Sequence, residues 1–544
     1  MKKLICLLLS ISVAFFALTA GCGGEESPAH EHEFERVSAV AATCTQNGNP
    51  EYRHCKSCGK NFSDETGETE ITVLITPPLG HDYSEGFCSR CGTPDKNAPD
   101  TQGLKFALNA QGDAYSLTGL GTADSGFIKI PSEYEGKPVT AIAAKTFYGN
   151  ETVKAVYLPD CVATIDKQAF AMSEISSVIL GKNLKSVASN AFQLCTELTR
   201  VTFNGDLSDW LEITFANIYA NPLIHAHALY LGDSLLTDAV IPQTVTKINP
   251  YAFYGCSSVR NVTFHTGVLE IGNGAFKDCS SLKAANLSSV TAIGDSAFNG
   301  CAALAEVTLG DGLVSLGTAA FTGCDKLKYS SYGGGLYLGS GNNKYKVLVK
   351  SAEGATSCEV NANAEIIASF AFDGCEGLQS LTVPKGVKSV GEAAFANCIG
   401  LKTIVWNAVS ATTPLSAAFS AVTPAFNGCS GISSVTFGEN VTSVPDGMLQ
   451  NSGVKSIALG GNITSIGKYA FSGCAYLTEI ALTDAVTLIN QYAFSGCPKL
   501  TAIRFDGVTD KWKAIKKNTY WSRNTGDFTV FCSDGNLDSK GNPV

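Results

Sequence analysis

Between residues 249 and 327 one phrase is written four times: Ala252-Phe253-Tyr254-Gly255-Cys256, Ala275-Phe276-Lys277-Asp278-Cys279, Ala297-Phe298-Asn299-Gly300-Cys301 and Ala320-Phe321-Thr322-Gly323-Cys324. Successive phenylalanines are 23, 22 and 23 residues apart. Three residues after each Cys stands an apolar residue (Val259, Leu282, Leu304, Leu327), followed by an alternating pair such as Val307 and Leu309. A fixed period in this range is the signature of a solenoid, in which one coil cannot bury its own apolar face and stacked coils bury it for one another. The period therefore predicts a leucine-rich repeat in which every coil adds a short strand to a parallel sheet.

The repeat register extends well beyond that stretch. Phenylalanines hold it at 147, 170, 192, 253, 276, 298, 321, 372, 395, 426, 471 and 494, with Met448 standing in once, which predicts about 13 coils of 22–23 residues. Three longer gaps, after Phe192, Phe321 and Phe395, predict insertions, the larger two near residues 204–241 and 329–358. The predicted organisation is a signal peptide at 1–21, a tether at 22–29, a Cys/His zinc-ribbon-like module at 30–96, and a linker with N-terminal cap at 97–138. The solenoid then occupies 139–503 and a C-terminal β cap 504–544.

Ten of the 20 cysteines fall three residues after a repeat Phe, and the remaining coils carry Asn150, Ser173 and Asn451 there. Small polar side chains at one register predict a ladder of buried, reduced thiols bonded to backbone within a tight turn. With 54 glycines and only 16% charged residues the chain is rich in turns, and its formal net charge of −10, without a dense basic run, excludes nucleic acid as an expected partner.

Lys2 and Lys3, an apolar run over residues 4–18 and then Thr19-Ala20-Gly21-Cys22 read as a secretory signal. Its end resembles a bacterial lipobox, with Thr19 where that motif usually has Leu; the resemblance implies a lipid on Cys22, and an ordinary cleaved signal is the alternative. Two knuckles, Cys55-Lys-Ser-Cys58-Gly59 and Cys88-Ser-Arg-Cys91-Gly92, have the spacing that grips a tetrahedral ion. The four thiols of Cys55, Cys58, Cys88 and Cys91 would hold one structural zinc. A second set is His32, Cys44, Cys55 and Cys58, which leaves His81, Cys88 and Cys91 as a partial site. Two short disulfide loops or a redox pair are the other readings.

The phrase Ala-Phe-x-x-Cys-x-x-Leu-x-x-Val-x-Leu, with the lead-in Ser132-Glu133-Tyr134-Glu135-Gly136-Lys137-Pro138-Val139, resembles the BspA-like leucine-rich repeat class of bacterial surface proteins over residues 103–544. That resemblance implies a parallel-sheet solenoid at the cell surface and an adhesin-like role; together with the lipid that the lipobox resemblance puts on Cys22, the expected protein is a membrane-anchored scaffold for an extracellular protein or glycan. No enzyme is expected, since no G-x-S-x-G, H-E-x-x-H or P-loop pattern occurs. His225 and His227 stand near one another without paired carboxylates. Trp210 and Trp512 recur in one frame after Phe203 and Phe505, which favours structural plugs over sugar platforms. Strand residues such as Arg200, Thr202, Asn261, Thr263, Glu306 and Thr308 are expected to form the exposed sheet face. Tyr329, Tyr332, Tyr337 and Tyr345 are the candidate partner-binding anchors, against the alternative that this insertion packs its own small core. An inert spacer and a secreted enzyme are the competing functions.

Overall fold

The computed structural model describes residues 32–72, 75–84, 86–414 and 422–544. The predicted signal, the lipidation residue Cys22 and the tether lie outside the described residues. The chain divides into two compact units, Met1–His81 and Asp82–Val544, so the division falls inside the 30–96 segment, between its two knuckles.

In the first unit, Phe34–Val37, Tyr52–Cys55 and Asn61–Phe62 form a three-stranded antiparallel sheet. Its apolar centre is small. The ring of His32 lies 5.3 Å from Phe34 and 4.8 Å from Phe62, and Phe34 meets Phe62 edge-on at 5.5 Å.

The second unit is a parallel-strand solenoid of about 18 turns. Each regular coil gives two strands to two different parallel sheets. Glu306–Leu309 pairs with Ala284–Leu287, for example, while Ser315–Leu316 pairs with Ala292–Ile293. Alternation along Ala284–Leu287 places Ala285 and Leu287 inside and Ala284 and Asn286 in solvent, the period-2 pattern of a half-buried strand. The turn count exceeds the 13 of the Phe register because the flanking and inserted segments build turns of their own. Phe127–Lys129 pairs in parallel with Ala155–Tyr157, Leu229–Leu231 with Arg200–Phe203, and Thr529–Cys532 with Ala502–Phe505. At the N-terminal side, the antiparallel hairpin Lys105–Leu108/Tyr115–Gly119 leads into Lys137–Ile142.

The repeat phrase forms the turn that closes each coil. Inside it the phenylalanine rings stack in columns: Phe147 on Phe170 at 4.7 Å, Phe253 on Phe276 at 5.1 Å, Phe276 on Phe298 at 5.2 Å, and Phe471 on Phe494 at 5.2 Å, all within 16° of parallel. Trp521 ends the last column, edge-on to Phe494 at 6.0 Å. The motif's alanine has its own task. Its carbonyl accepts the Phe N–H of the preceding coil, as from Phe253 to Ala275 and from Phe298 to Ala320, both at 2.8 Å.

Two positions in each turn are left-handed, two residues before and two after the Phe. Gly300 and Gly323 have φ of 75° and 76° there, while Met172 and Tyr469 adopt 61° and 56° at such positions. A non-glycine residue in this region costs about 1–2 kcal/mol, which explains the recurring Gly of Phe-x-Gly-Cys. The same geometry corrects one register. Gly447 and Asn451 take the two left-handed places, at φ 65° and 59°. Leu449, not Met448, therefore stands in the phenylalanine column: its N–H donates to Ala470 at 2.8 Å. Ser452, not Asn451, then takes the thiol register, 3.6 Å from Cys474. Met448 fills the alanine slot and is fully buried.

The thiols of the repeat register form no disulfide, and most are buried. They bond between coils rather than within their own turn. Cys279 donates to the carbonyl of Phe253, Cys301 to Phe276 and Cys497 to Phe471, each at 3.1 Å, and Cys398 to Phe372 at 3.0 Å. Burial pushes the Cys195 thiol up to about 11, against a partial lowering by the Ser173 hydroxyl. A thiol whose pKa is higher folded than unfolded stabilises the array while it stays protonated. This contribution is complete below the ordinary thiol value of 9.0 and is lost as the pH climbs through about 11. Urea midpoints should therefore fall between pH 8.5 and 11, roughly, and Cys195→Ser should flatten part of that fall; equal slopes in the two proteins would contradict the thiol's share.

The insertions are built from the same physics. Asp206 caps the helix Leu207–Glu212 by a capping box, and Trp210 is fully buried, its indole N–H donating to Ala252 at 2.9 Å. The helix Thr509–Ala514 buries Trp512 in the same frame, but its N-cap Val508 makes no side-chain capping bond. Both indoles meet the preceding Phe at 5.5 Å, Trp210 on Phe203 and Trp512 on Phe505, so neither is an open platform. Ser330–Tyr332, Gly335–Leu338 and Val347–Ser351 form an antiparallel meander whose last strand pairs in parallel with Ile366–Ile367.

Candidate metal centre and interaction surfaces

Antiparallel pairing sets Phe34 opposite Cys55, which brings His32 beside the end of the second strand. There the chain turns through Cys55-Lys56-Ser57-Cys58. The Gly59 N–H donates back to the Cys55 carbonyl at 2.8 Å with Gly59 at φ 72°, and the Cys55 N–H donates to Lys60 at 2.9 Å. This knuckle aims both thiols inward. The Nδ1 atom of His32 lies 3.2 Å from Cys55 Sγ and 3.8 Å from Cys58 Sγ, and the three donor atoms lie within 4.8 Å of one another. Cys55 is fully buried, and His32 and Cys58 are half-buried. A tetrahedral ion with Zn–S near 2.3 Å and Zn–N near 2.0 Å spaces its ligands about 3.5–3.8 Å apart. Two thiols and one imidazole at these separations can hold a metal.

The second knuckle has the same backbone. The Gly92 N–H donates to Cys88 and the Cys88 N–H to Thr93, both at 2.8 Å, and the hairpin Tyr83–Ser84/Phe87–Cys88 carries it. The Cys91 thiol is 3.0 Å from the Thr93 hydroxyl. Cys88 and Cys91 belong to the second unit, whereas Cys55 and Cys58 belong to the first. Of the set His32, Cys44, Cys55 and Cys58, three residues converge. Cys44 lies instead with His81, thiol and ring nitrogen within 4.8 Å, because Leu79 and Gly80 donate to the carbonyls of Thr43 and Cys44.

Other candidates are placed as follows. His227 sits at the C-terminal end of the short helix Leu223–Ala226 at φ 55°, its Nδ1 bonded to the Gly255 carbonyl at 2.9 Å. Burial lowers the pKa of His225. Among the described residues neither is bonded to a carboxylate. In the second insertion, Tyr337 is fully buried and accepts the Asn361 N–H at 3.1 Å. Tyr345 packs edge-on against both Tyr337 and Tyr332, at 5.5 and 5.7 Å. Tyr332 is exposed, with its hydroxyl donating to Glu359, and Tyr329 is half-buried under the Lys350 ammonium at 4.9 Å. Tyr332 is thus the one of the four with surface to offer.

On the sheet face, Asn261, Thr263, Glu306, Thr308, Ser434 and Thr436 are exposed as expected. Arg200 and Thr202 are not. Both are buried, because the inserted strand Leu229–Leu231 lies beside theirs and the Arg200 guanidinium stacks on the Tyr230 ring at 3.7 Å.

An aromatic row lay unread in the sequence. Tyr469, Tyr492 and Tyr520 occupy left-handed positions of successive turns and stack at 4.9 and 5.5 Å. The signal was present in the spelling Tyr-Ala-Phe at 469–471 and again at 492–494. Tyr492 lies between the other two rings, and the Arg523 guanidinium lies over Tyr520, which stays exposed.

Among solved structures, the chain is similar to a leucine rich cell surface protein of Faecalibacterium prausnitzii A2-165, at 23% identity, covering 77% of this chain and 98% of that one with a TM-score of 0.34. A leucine-rich repeat protein of Bacteroides ovatus is 20% identical, with 80% and 99% covered and a TM-score of 0.39. The T. pallidum leucine rich repeat protein is 26% identical, with 43% and 91% covered and a TM-score of 0.27. Comparison with curated proteins finds no match. The BspA type leucine rich repeat region matches in 6 copies, over residues 127–227, 224–337, 350–424 and 423–525. Those segments take up well over half of the sequence, and the chain belongs to the BspA type leucine-rich repeat family.

Proposed function

We propose that the chain is a lipid-anchored scaffold on the outer face of a bacterial cell, adhesin-like, whose repeat array meets an extracellular protein or glycan and performs no catalysis. The observation that carries this reading is the division of labour along each strand. One set of alternate residues is consumed by the core, and the other, as in Glu306 and Thr308 or Ser434 and Thr436, is a repeated polar row in solvent. A regular surface of this kind suits an extended partner, the use to which stacked repeats lend themselves. The signal at residues 1–21, with Cys22 after it, supports export, as does the description of the Faecalibacterium relative as a cell surface protein. Among the described residues no helix is long and apolar enough to cross a membrane, so the lipid on Cys22 would be the attachment. A zinc ion held by His32, Cys55 and Cys58 would cross-link the first unit as a stalk; two thiolates and an imidazole would fill three of the four positions of a tetrahedral ion and leave the fourth to water or a further donor.

An inert spacer is the second reading, favoured by the small side chains of the sheet face, which lacks the aromatic and arginine anchors that dominate interface energetics. Two experiments test the proposal. Cys22→Ala should move the protein from the membrane fraction to the medium without altering its circular dichroism; a variant that stays with the membrane would remove the lipid anchor from the account. Residues 23–544, screened against extracellular-matrix proteins and glycans, should bind a partner, and turnover of any substrate in the same panel would overturn the reading.

A further inference from the structure

In a regular coil three N–H groups of the turn donate to the next coil. Around Phe276 they run from Gly274 to Asp295, Phe276 to Ala297 and Asp278 to Asn299, at 2.7–2.8 Å. Around Phe372 they run from Phe370 to Glu392, Phe372 to Ala394 and Gly374 to Ala396, at 2.7–2.9 Å. The equivalents around Phe321 are the N–H groups of Ala319, Phe321 and Gly323, and none of the three meets an acceptor among the described residues. The cause is the second insertion. Its strand Val347–Ser351 aligns Val347 and Leu348 with Ile366 and Ile367, then continues through Val349 and Lys350 in place of another Phe-bearing turn.

What remains is a cleft of about 190 Å³, lined among others by Ala319, Phe321, Gly323, Tyr329, Lys350 and Phe370. Phe321 stacks on Phe298 at 5.5 Å on one side, and no ring covers its other face among the described residues. The hydroxyl of Ser369, one of its lining residues, meets that of Thr318 at 3.3 Å. The cleft thus keeps two marks of a turn that lacks its neighbour: a phenylalanine, 5% exposed, with no ring stacked on one side, and a row of three donors. Elsewhere the chain shows what satisfies such a surface, namely a phenylalanine ring with flanking backbone carbonyls.

We propose that this cleft is a recognition site for a peptide turn carrying an aromatic side chain, displayed by a protein partner. The ring enters the cleft beside Phe321 and the exposed Phe370, and carbonyl oxygens of the turn accept from Ala319, Phe321 and Gly323. Lys350 and Asp325 both line the cleft, and their opposite charges leave it near neutral, which favours amide carbonyls over a free anion. Its volume suits a single residue, below the roughly 300–1,000 Å³ of sites for drug-sized ligands. Unpaired donors desolvated without a partner cost about 1–3 kcal/mol each, so a ligand that supplies carbonyls has an advantage over an apolar one of the same shape. The proposal deepens the scaffold reading and rests on it.

The test is amide hydrogen exchange of the segment 317–325 in the full chain. Without ligand its three amides should exchange about tenfold or more faster than Gly274, Phe276 and Asp278, which are bonded to the next coil. N-acetyl-Ala-Phe-Gly-amide, at millimolar concentration, should slow the three amides severalfold, whereas N-acetyl-Ala-Ala-Gly-amide and acetate should not. Phe321→Leu should abolish the slowing, and Phe370→Ala, an exposed side chain outside the core, should weaken it in a protein that keeps its fold. Equal slowing by the alanine peptide or by acetate, or no slowing by the phenylalanine peptide, would overturn the proposal. A partner found in the glycan and matrix screen whose binding is unchanged by Phe370→Ala would likewise overturn the cleft while leaving the scaffold reading in place.

Discussion

Replacing Phe276 with alanine should destabilise the solenoid by about 3–5 kcal/mol, the usual cost of deleting a large buried aromatic ring. The ring is fully buried and stacks on both neighbours, Phe253 at 5.1 Å and Phe298 at 5.2 Å. It also receives Phe264 edge-on at 5.9 Å. Its loss interrupts a column rather than a single contact. In a solenoid each coil is held by its neighbours, so an interior break should also split unfolding into two overlapping transitions. Phe494→Ala, beside the closing Trp521, should cost less cooperativity because only the terminal segment lies beyond it. Urea unfolding followed by circular dichroism reads both effects. A midpoint for Phe276→Ala within about 1 kcal/mol of the parent, with a single transition, would show that the phenylalanine column does not hold the coils together.

Removal of metal should have the second large effect, confined to the first unit. Among the described residues the ring cluster of that sheet is His32, Phe34 and Phe62, too little apolar surface to hold some 50 residues on its own. Apparent binding free energies of structural zinc are about 10–16 kcal/mol in small domains, which is ample. Chelator at neutral pH should expose residues 32–81 to protease while the solenoid stays intact, and Cys55→Ser should do the same without chelator. Because the thiols bind as thiolates, affinity should fall as the pH is lowered. Elemental analysis of reduced, folded protein finding no metal would reject the site, and a Cys55–Cys58 disulfide in the native protein would replace it.

The solenoid was legible because its period is long, regular and written in residue types that only a buried column explains. Phe253, Phe276, Phe298 and Phe321 announce one another, and the thiol register follows at a fixed offset. What escaped was whatever backbone conformation decides. Met448 has the size of the missing phenylalanine, yet Gly447 and Asn451, in their left-handed places, set Leu449 in the column. Arg200 and Thr202 carry the alternation of an exposed face, but a strand from the insertion lies beside them and Tyr230 covers the guanidinium. A spacing count cannot see a neighbour supplied from outside the period. The Cys/His group shows the same limit. The knuckle Cys55-x-x-Cys58-Gly59 was plain, whereas its third donor depends on which histidine the sheet register brings near, and that register is set by the pairing of Phe34 with Cys55. The free donors at Ala319, Phe321 and Gly323 have no spelling at all. They arise from the absence of the usual next turn.

The central claim, that the array exists to meet a partner outside the cell, is tested most directly by adhesion. Cells carrying the chain and cells lacking it should be compared on matrix-coated and cell-coated surfaces, with purified residues 23–544 added as competitor. The account predicts that loss of the chain lowers adhesion, that the full chain restores it, and that the soluble array inhibits the parent cells in a saturable way. Equal adhesion by both cell lines on every surface, with no inhibition by the soluble array, would contradict it.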